Sequence, residues 1–365
     1  MGKLWSYLRS NPLSFLLVAL PVALVAHFTG GPDILVFVFS ALGVIPMAGY
    51  IGEATEALSV RTGPKIGGLL NATLGNAAEL IITLVAIQAG LLELVKASIT
   101  GSILGNLLLV MGTAMVLGGS RNGIQRFDRR STGNHSTLLA IAVLALAIPT
   151  FFSRSIGPET STPVEDLSLE VAAIMIILYA AGILYTLRAS PMRDESPLGY
   201  EVPEGESQHH WSLRRSILIL ALATIGVVVL SELLVGAVEG VVAGAGLSEF
   251  FLGIILIPIV GNVAEHLVAV QVAMRNQMEL SVGIAISSSL QIALFVAPLL
   301  VFISLAMGHP LTLIFNPFEL AALGAGVLVT AMVSVDGESN WLEGAALLAI
   351  YLILGVAFFL IKTTG

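Results

Sequence analysis

Two glutamates, Glu79 and Glu265, each interrupt a long apolar stretch of the sequence. An ionisable side chain inside a membrane-spanning segment is costly, so it indicates a functional site unless an interhelical hydrogen bond explains it. Asn76 and Asn262 lie three residues before these glutamates, which puts amide and carboxylate on one face of a helix. Two glutamates in matching contexts favour a site over a structural role.

Glycines precede both asparagines, at Gly75 and Gly261. They allow the helices to loosen, so that backbone carbonyls can take part in binding a cation. Ala72 and Pro258, one turn earlier, are the expected sources of these carbonyls. Pro258 also leaves the carbonyl of residue 254 without its usual helical partner.

The apolar stretch that follows each motif carries a second polar pair, Ser102 with Asn106 and Ser287 with Gln291. A spacing of four residues places each pair on one side of a helix. The serines alone are as well explained by helix packing, but an unpaired amide in hydrocarbon is costly. Together these groups supply only oxygen ligands, the set that Ca²⁺ accepts in flexible coordination, whereas zinc prefers nitrogen or sulfur. We therefore expect calcium as a transported substrate, and no cofactor.

The same two carboxylates also predict proton binding. In a desolvated site without metal, burial and mutual repulsion favour the protonated forms of Glu79 and Glu265. Metal and protons would then compete for one site, which is the minimal requirement for antiport.

A second tier of titratable residues is predicted to gate the site or relay protons. Glu232 is equally well explained as an anchor at the membrane border, and a lone histidine is usually structural, although histidine titrates in the useful range. The members of this tier are Glu53, Glu56, Glu232, Glu239 and His266.

The composition is that of a membrane protein. Of the 365 residues, 56% are hydrophobic and 11% are charged, against about a quarter charged in soluble domains. Cysteine is absent, which excludes disulfides and thiolate metal sites, and a net charge of −8 argues against a nucleic-acid partner. The lipid bilayer is the expected environment. Hydropathy predicts eleven spans at 12–29, 34–58, 65–89, 94–118, 137–152, 168–187, 214–237, 248–274, 280–306, 317–335 and 341–361.

An internal repeat organises these spans. A shift of 186 residues superposes polar and glycine positions, namely Glu53 on Glu239, Gly67 on Gly253, Gly75 on Gly261, Asn76 on Asn262, Glu79 on Glu265, Glu93 on Glu279 and Ser102 on Ser288. Because five spans separate equivalent positions, the second copy enters the membrane from the opposite side, a transporter signature. The predicted fold is all-α, with one extra N-terminal helix and two inverted five-helix repeats.

The predicted domains are an N-terminal helix (1–33), the first repeat (34–187), an acidic cytoplasmic linker (188–213) and the inverted second repeat (214–365). The polar stretch 193–211 is read as a solvated linker rather than as a calcium-sensing surface. Thirteen of the sixteen Lys and Arg residues fall on one side if the N-terminus is inside, which predicts a cytoplasmic N-terminus and an outside C-terminus. An inner or plasma membrane is expected, and a homo-oligomer remains open.

The motifs GNAAELIITLVAI (75–87), GNVAEHLVAV (261–270), GSILGNLLLVMG (101–112) and SSSLQIALFVAP (287–298) resemble the paired signatures of the calcium/proton exchanger family, within the cation/calcium antiporter superfamily. The resemblance implies a proton-driven calcium transporter of eleven helices. It also implies a gating bundle, formed by the second and seventh spans, that slides over a rigid core. The residues it places around the site are Glu79, Glu265, Asn76, Asn262, Ser102, Asn106, Ser287 and Gln291.

Three other functions fit the sequence less well: a sodium-driven exchanger, an intramembrane protease and a cation channel. A sodium-driven exchanger typically adds acidic groups where this chain has Asn106 and Gln291, so protons are favoured. A zinc intramembrane protease needs HExxH, which is absent, and an aspartyl form needs two aspartates within spans, where none is found. We therefore expect no enzyme, while a cation channel remains a further alternative that would show no saturable, gradient-driven flux.

Overall fold

A computed structural model of the chain describes residues 12–188 and 211–361. The side chains of a few residues inside helices, Ala72 among them, lie outside that description. Most of the predicted linker, including 193–210, lies outside the described residues as well, as do Lys3, Arg9 and Lys362.

Within the described residues, eleven helical spans follow one another and are numbered α1 to α11. The first six are α1 (Leu13–Phe28), α2 (Asp33–Leu74), α3 (Ala77–Gln88), α4 (Leu92–Asn122), α5 (Arg129–Ile156) and α6 (Thr162–Arg188). The remaining five are α7 (Leu213–Ala245), α8 (Glu249–Met274), α9 (Met278–Ala306), α10 (Pro317–Val333) and α11 (Trp341–Leu360). Eight of these spans are long and apolar enough to cross a membrane, and α1, α3 and α10 are shorter apolar helices. The predicted eleven-helix membrane fold is confirmed.

Helix α2 turns back on itself. The hydroxyl of Ser59 donates to the carbonyl of Gly67 at 3.0 Å, although eight residues of straight helix would rise about 12 Å. The chain therefore reverses between these residues, and the predicted span 65–89 consists of the returning limb of α2 followed by α3. Helix α5 begins at Arg129 rather than at the predicted residue 137, because the carboxylate of Asp128 caps its polar first turn.

The two repeats carry matching irregularities. Gly90 in the α3–α4 turn has φ +79°, and Asn276, at the equivalent position in the α8–α9 turn, has φ +65°. Helix α4 contains a π-helical segment at Gly105–Val110, and α9 has one at the equivalent position, Ile292–Val296. A third π-helical segment, Leu252–Leu256, lies in α8. Equivalent turns at opposite ends of the bundle are what an inverted repeat requires.

We call the two ends of the bundle the Gly90 face and the Asn276 face, after these turns. At the Asn276 face, strands β1 (Gln125–Arg126) and β2 (Glu338–Ser339) pair antiparallel. The side chain of Gln125 also donates to the carbonyl of Ala273 at 2.8 Å. At the Gly90 face, the backbone N–H of Leu94 donates to the carboxylate of Glu249 at 3.2 Å. Each end is thus held together by contacts between the repeats.

Glycines set the closest helix crossings inside the bundle. A Cβ on Gly101 of α4 would lie 2.0 Å from the carbonyl oxygen of Ile254 in α8. A Cβ on Gly112 of α4 would lie 2.9 Å from the carbonyl oxygen of Gly344 in α11. Small residues of this kind let backbones approach in membrane bundles, and here they press α4, which carries Ser102, against both neighbours.

Candidate functional site

Glu79 lies at a break between two helices. Helix α2 ends at Leu74 and α3 starts at Ala77, so the chain is non-helical at Gly75–Asn76, as the glycine predicted. Glu79 is 1% exposed, and its carboxylate accepts a hydrogen bond from the hydroxyl of Ser102 on α4. Its second oxygen, Oε2, has no hydrogen-bond partner among the described residues. A buried carboxylate oxygen without a donor is available to a cation or a proton.

Glu265 on α8 is held in the same manner by α9. The hydroxyl of Ser288 lies 2.9 Å from Glu265 Oε2 and 3.3 Å from Asn76 Oδ1. The Asn76 amide donates in turn to Gln291 Oε1 at 2.9 Å. This half of the site therefore joins a carboxylate, a hydroxyl and two amides. Glu265 is half-buried, whereas Asn76 and Gln291 are buried.

The hydrogen bonds cross between the repeats. Asn262 of the second repeat donates to Ser102 Oγ of the first at 3.2 Å, and Ser288 of the second repeat reaches Asn76 of the first. Each glutamate is bound by the serine that lies 23 residues after it in its own repeat. The candidate site therefore lies at the repeat interface, where inverted-repeat transporters hold their substrates.

Helices α3 and α8 meet at the two motifs. A Cβ on Gly261 would lie 3.7 Å from Glu79 Cβ, so the backbone of one motif packs against the glutamate of the other. This contact brings the motif that carries Glu79 against the motif that carries Glu265. Two negative charges in a buried site need a cation or protons to balance them.

Asn106 and His266 form a further polar pair beside this network. His266 Nε2 lies 3.1 Å from Asn106 Oδ1, and both side chains are buried. Asn106 Nδ2 and Gln291 Nε2 have no hydrogen-bond partner among the described residues. The two amides are not repeat-equivalent, because Ile292 occupies the position that matches Asn106. The site is therefore only approximately symmetric.

Three of the predicted ligands make no observed hydrogen bond to either glutamate within the described residues. Ser287 is buried, and its hydroxyl has no hydrogen-bond partner in the described part of the chain, whereas the neighbouring Ser288 makes the contacts expected of it. Pro258 lies in α8 just after the π-helical segment. The carbonyl of Ile254, which Pro258 leaves without its helical partner, lies against Gly101 of α4. The backbone of Ala72 lies in the returning limb of α2.

The four glutamates of the second tier lie on α2 and α7, the two helices predicted to gate the site. Glu53 and Glu56 are half-buried on α2. Glu232 and Glu239 are exposed on α7, on either side of the irregularity at Ala237 that separates Leu213–Gly236 from Val238–Ala245.

The sequence predictions do not include Ser288 of the site, or Glu319, a buried carboxylate outside it. Ser288 could have been found from the repeat itself, because the 186-residue shift places it on Ser102. Glu319 in the first turn of α10 is 1% exposed. The sequence does not single out Glu319, because Asn-Pro-Phe-Glu is the usual pattern of a helix N-terminus.

The described residues contain no group of three or more His, Cys, Asp and Glu side chains arranged to hold a metal ion. The side chains around Glu79 and Glu265 are instead serines, whose hydroxyls contact the carboxylates, and asparagines, whose amides contact these serines.

Comparison with known proteins identifies relatives over nearly the whole chain. A family model described as sodium/calcium exchanger protein matches residues 33–188 and 215–360. A Ca²⁺/H⁺ antiporter of Aphanothece halophytica is 42% identical, covering 96% of this chain and 97% of that protein. Vacuolar cation/proton exchanger 3 of Oryza sativa subsp. japonica is 40% identical, covering 96% and 86%. Among solved structures, native YfkE is 38% identical with a TM-score of 0.83, covering 96% of this chain and all of that one.

Proposed function

Since the chain belongs to the sodium/calcium exchanger protein family, we propose that it exchanges calcium for protons across a membrane. The observation that carries this proposal is the pair of glutamates, each hydrogen-bonded to a serine of its own repeat, with asparagines contributed across the repeat interface. The relatives named as Ca²⁺/H⁺ antiporter and cation/proton exchanger support the choice of ions.

Calcium would be bound mainly by oxygen atoms of the two motifs. Glu79 and Glu265 supply two negative charges, which balance a divalent ion. Asn76 and Asn262 supply amide oxygens, and Ser102 and Ser288 position the carboxylates. Calcium takes six to eight oxygen ligands in flexible geometry, so rotation of these side chains, together with backbone carbonyls, would complete the shell.

Protons would occupy the same carboxylates after calcium leaves. The burial of Glu79 and its unpartnered Oε2 both favour proton uptake when no metal is present. Because calcium and protons share the two groups, the site is occupied by one or by the other. This exclusion couples the downhill movement of protons to the uphill movement of calcium.

Access to the site would alternate through α2 and α7. Both helices carry glutamates at equivalent positions, Glu53 and Glu239, and they run in opposite directions, so moving the pair can close one path while opening the other. Glu56, Glu232 and His266 are candidate relays along these paths. His266 would act through Asn106, to which it is bound.

The membrane and the orientation are also proposals. The distribution of basic residues supports a cytoplasmic Asn276 face and an outer Gly90 face. An inner or plasma membrane suits this arrangement, although several relatives are named as vacuolar.

The test is calcium uptake into proteoliposomes that contain the purified chain. We expect an imposed pH gradient to drive uptake, and an imposed sodium gradient of equal size to leave it at the level of empty vesicles. The doubly substituted E79Q/E265Q protein, reconstituted at the same density, is the matched control. Uptake driven by sodium alone would reassign the coupling ion, and uptake that does not saturate with calcium would indicate a channel.

A further inference from the structure

Glu319 is a second deeply buried carboxylate, on a helix that contributes nothing to the candidate calcium site. It lies in the first turn of α10, near the Gly90 face, and is 1% exposed. Its Oε2 accepts a hydrogen bond from the backbone N–H of Asn316 at 2.7 Å, which completes a capping box. Its other oxygen, Oε1, has no hydrogen-bond partner among the described residues. The helix cap therefore provides a hydrogen-bond partner for only one of the two carboxylate oxygens.

The charges around Glu319 come from α4. Lys96 is 3% exposed, but its ammonium is already engaged by Glu93 and, at 3.0 Å, by Glu159 from the α5–α6 connection. Glu159 also accepts a hydrogen bond from the hydroxyl of Thr312 at 2.7 Å. The charged side chains that act on Glu319 are Lys96 and Glu93; α5 and α11, which also pack against α10, add none within the described residues.

This cluster has more acids than bases. The ammonium of Lys96 is in contact with the carboxylates of Glu93 and Glu159, and Glu319 has no ion pair within the described residues, although the charge of Lys96 acts on it. Glu93 and Glu159 are partly exposed and can be stabilised by water, whereas Glu319 cannot. An ionised carboxylate in such a position, without a counter-ion in contact, is strongly unfavourable. A proton on Glu319 removes that cost.

The proton also has an acceptor. The hydroxyl of Thr100 on α4 lies within weak hydrogen-bonding reach of the Glu319 carboxyl group. It is fully buried and makes no hydrogen bond of good geometry in the described part of the chain. A proton on Oε1 would let the carboxylic acid donate to Thr100 Oγ1 and would satisfy both orphaned atoms. Such atoms in native structures call for a missing partner.

We propose that Glu319 is a proton-binding site separate from the calcium site, and that its proton is exchanged with the Gly90 face and sets how well α4 supports transport. The connection runs along α4. Thr100 and Ser102 are two residues apart, a rotation of about 200° around the helix axis, so their side chains lie on nearly opposite sides of α4. Glu319 therefore contacts the side of α4 opposite to the side that carries Ser102. Helices α10 and α4 are closely packed two turns beyond Glu319, since a Cβ on Gly326 would lie 2.9 Å from the side chain of Leu104.

The alternative is that Glu319 only caps α10. The chain offers a matched control in Glu343 of α11, which closes a second capping box with Asn340 and lies at the other end of the bundle. Glutamine serves in a capping box as well as glutamate does. E319Q and E343Q therefore both keep their caps, and only E319Q removes the proposed proton.

The first measurement is the infrared absorption of carboxylic-acid carbonyl groups in purified protein saturated with calcium at neutral pH. We expect a band in the unsubstituted protein that is lost in E319Q and kept in E343Q. If the unsubstituted protein shows no such band, Glu319 is ionised and the proposal is overturned, whether or not the variants fold. A band that persists in E319Q overturns it as well. Neither result depends on whether the protein moves calcium.

The second measurement is calcium uptake as a function of pH on the Gly90 side of oriented vesicles. Glutamine mimics the protonated acid, so the ratio of E319Q uptake to that of the unsubstituted protein should rise as this side becomes alkaline. The same ratio for E343Q should stay constant. A constant ratio for E319Q would show that the state of Glu319 does not influence transport and would overturn the regulatory part of the proposal.

Discussion

The side-chain amide of Asn262 lies 3.2 Å from the hydroxyl of Ser102, and this hydroxyl donates to the carboxylate of Glu79. The chain of contacts joins one residue of the second repeat to two of the first. The orientation of the Glu79 carboxylate therefore depends on the relative position of the two repeats. A change in how they are packed would alter the site directly.

Replacing either central glutamate by glutamine should abolish calcium uptake while leaving the protein folded. Glutamine keeps the shape of the side chain, but it can neither neutralise calcium nor carry an exchangeable proton. Uptake driven by a pH gradient should fall to the level of empty vesicles for both E79Q and E265Q. E338Q is the control, since Glu338 pairs with Arg126 on the surface of the two-stranded sheet. Normal uptake by either central variant would rule out the two-glutamate mechanism.

Substitutions of two adjacent serines on α9, Ser287 and Ser288, should differ in their effect on calcium binding. Ser288 holds Glu265 at 2.9 Å, and removal of a hydrogen bond to a charged group costs about 1.5–3 kcal/mol. We expect S288A to weaken calcium binding by roughly 10- to 100-fold. S287A should change it by less than about threefold, because the Ser287 hydroxyl has no hydrogen-bond partner among the described residues. Calorimetric titration of both variants gives the comparison, and a larger effect of S287A would exclude the observed register.

The sequence identified the repeat and its central residues, but it did not determine which serine of the second copy contacts the carboxylate. Three consecutive serines, 287 to 289, follow the second motif. The spacing of Ser102 and Asn106 was matched to Ser287 and Gln291, one residue away from the repeat register. The π-helical segments that begin directly after these residues change the helical phase, and no pattern of residue types specified them.

The sequence also does not predict which polar side chains are buried by contacts between helices far apart in the chain. Glu319 reads as a capping residue from sequence, and only the packing of α10 against α4 shows that one of its oxygens is sealed from water. The count of basic residues leaves Lys96 as one of three that fall outside, and the structure buries it almost completely between Glu93 and Glu159. Hydropathy reports how apolar a segment is and carries no information on which segments meet.

The crossing of α4 and α8 should not tolerate a side chain at Gly101. A Cβ there would lie 2.0 Å from the carbonyl oxygen of Ile254, so G101A would have to separate the two helices. Overpacking of this kind costs about 1–3 kcal/mol. We expect a lower thermal unfolding midpoint and reduced uptake.

The matched control for this crossing is G105A, one turn further along α4. A Cβ at Gly105 would have no atom of another element within 4 Å, so its unfolding midpoint should stay close to that of the unsubstituted protein. Equal stability of G101A and G105A would show that the close approach of α4 and α8 is not present in the folded protein.

Calcium binding should release protons and should weaken as the pH falls. Glu79 is buried with one unpartnered carboxylate oxygen, and Glu265 is half-buried in the same site. On the proposed mechanism they hold protons in the absence of metal, and calcium must displace these protons. We expect about one to two protons released per calcium at neutral pH, as the two groups titrate together. Each proton released should lower the apparent affinity by about tenfold for every pH unit of acidification.

Isothermal titration calorimetry in two buffers that differ in ionisation enthalpy counts these protons directly, since the observed heat changes in proportion to the number released. E319Q is an informative comparison here, because Glu319 lies outside the calcium site and its loss should leave the count unchanged. E265Q retains one central carboxylate and should release at most one proton in any residual binding. A count of zero for the unsubstituted protein at neutral pH would mean that calcium and protons do not share the two glutamates, and the coupling would then have to arise elsewhere in the bundle.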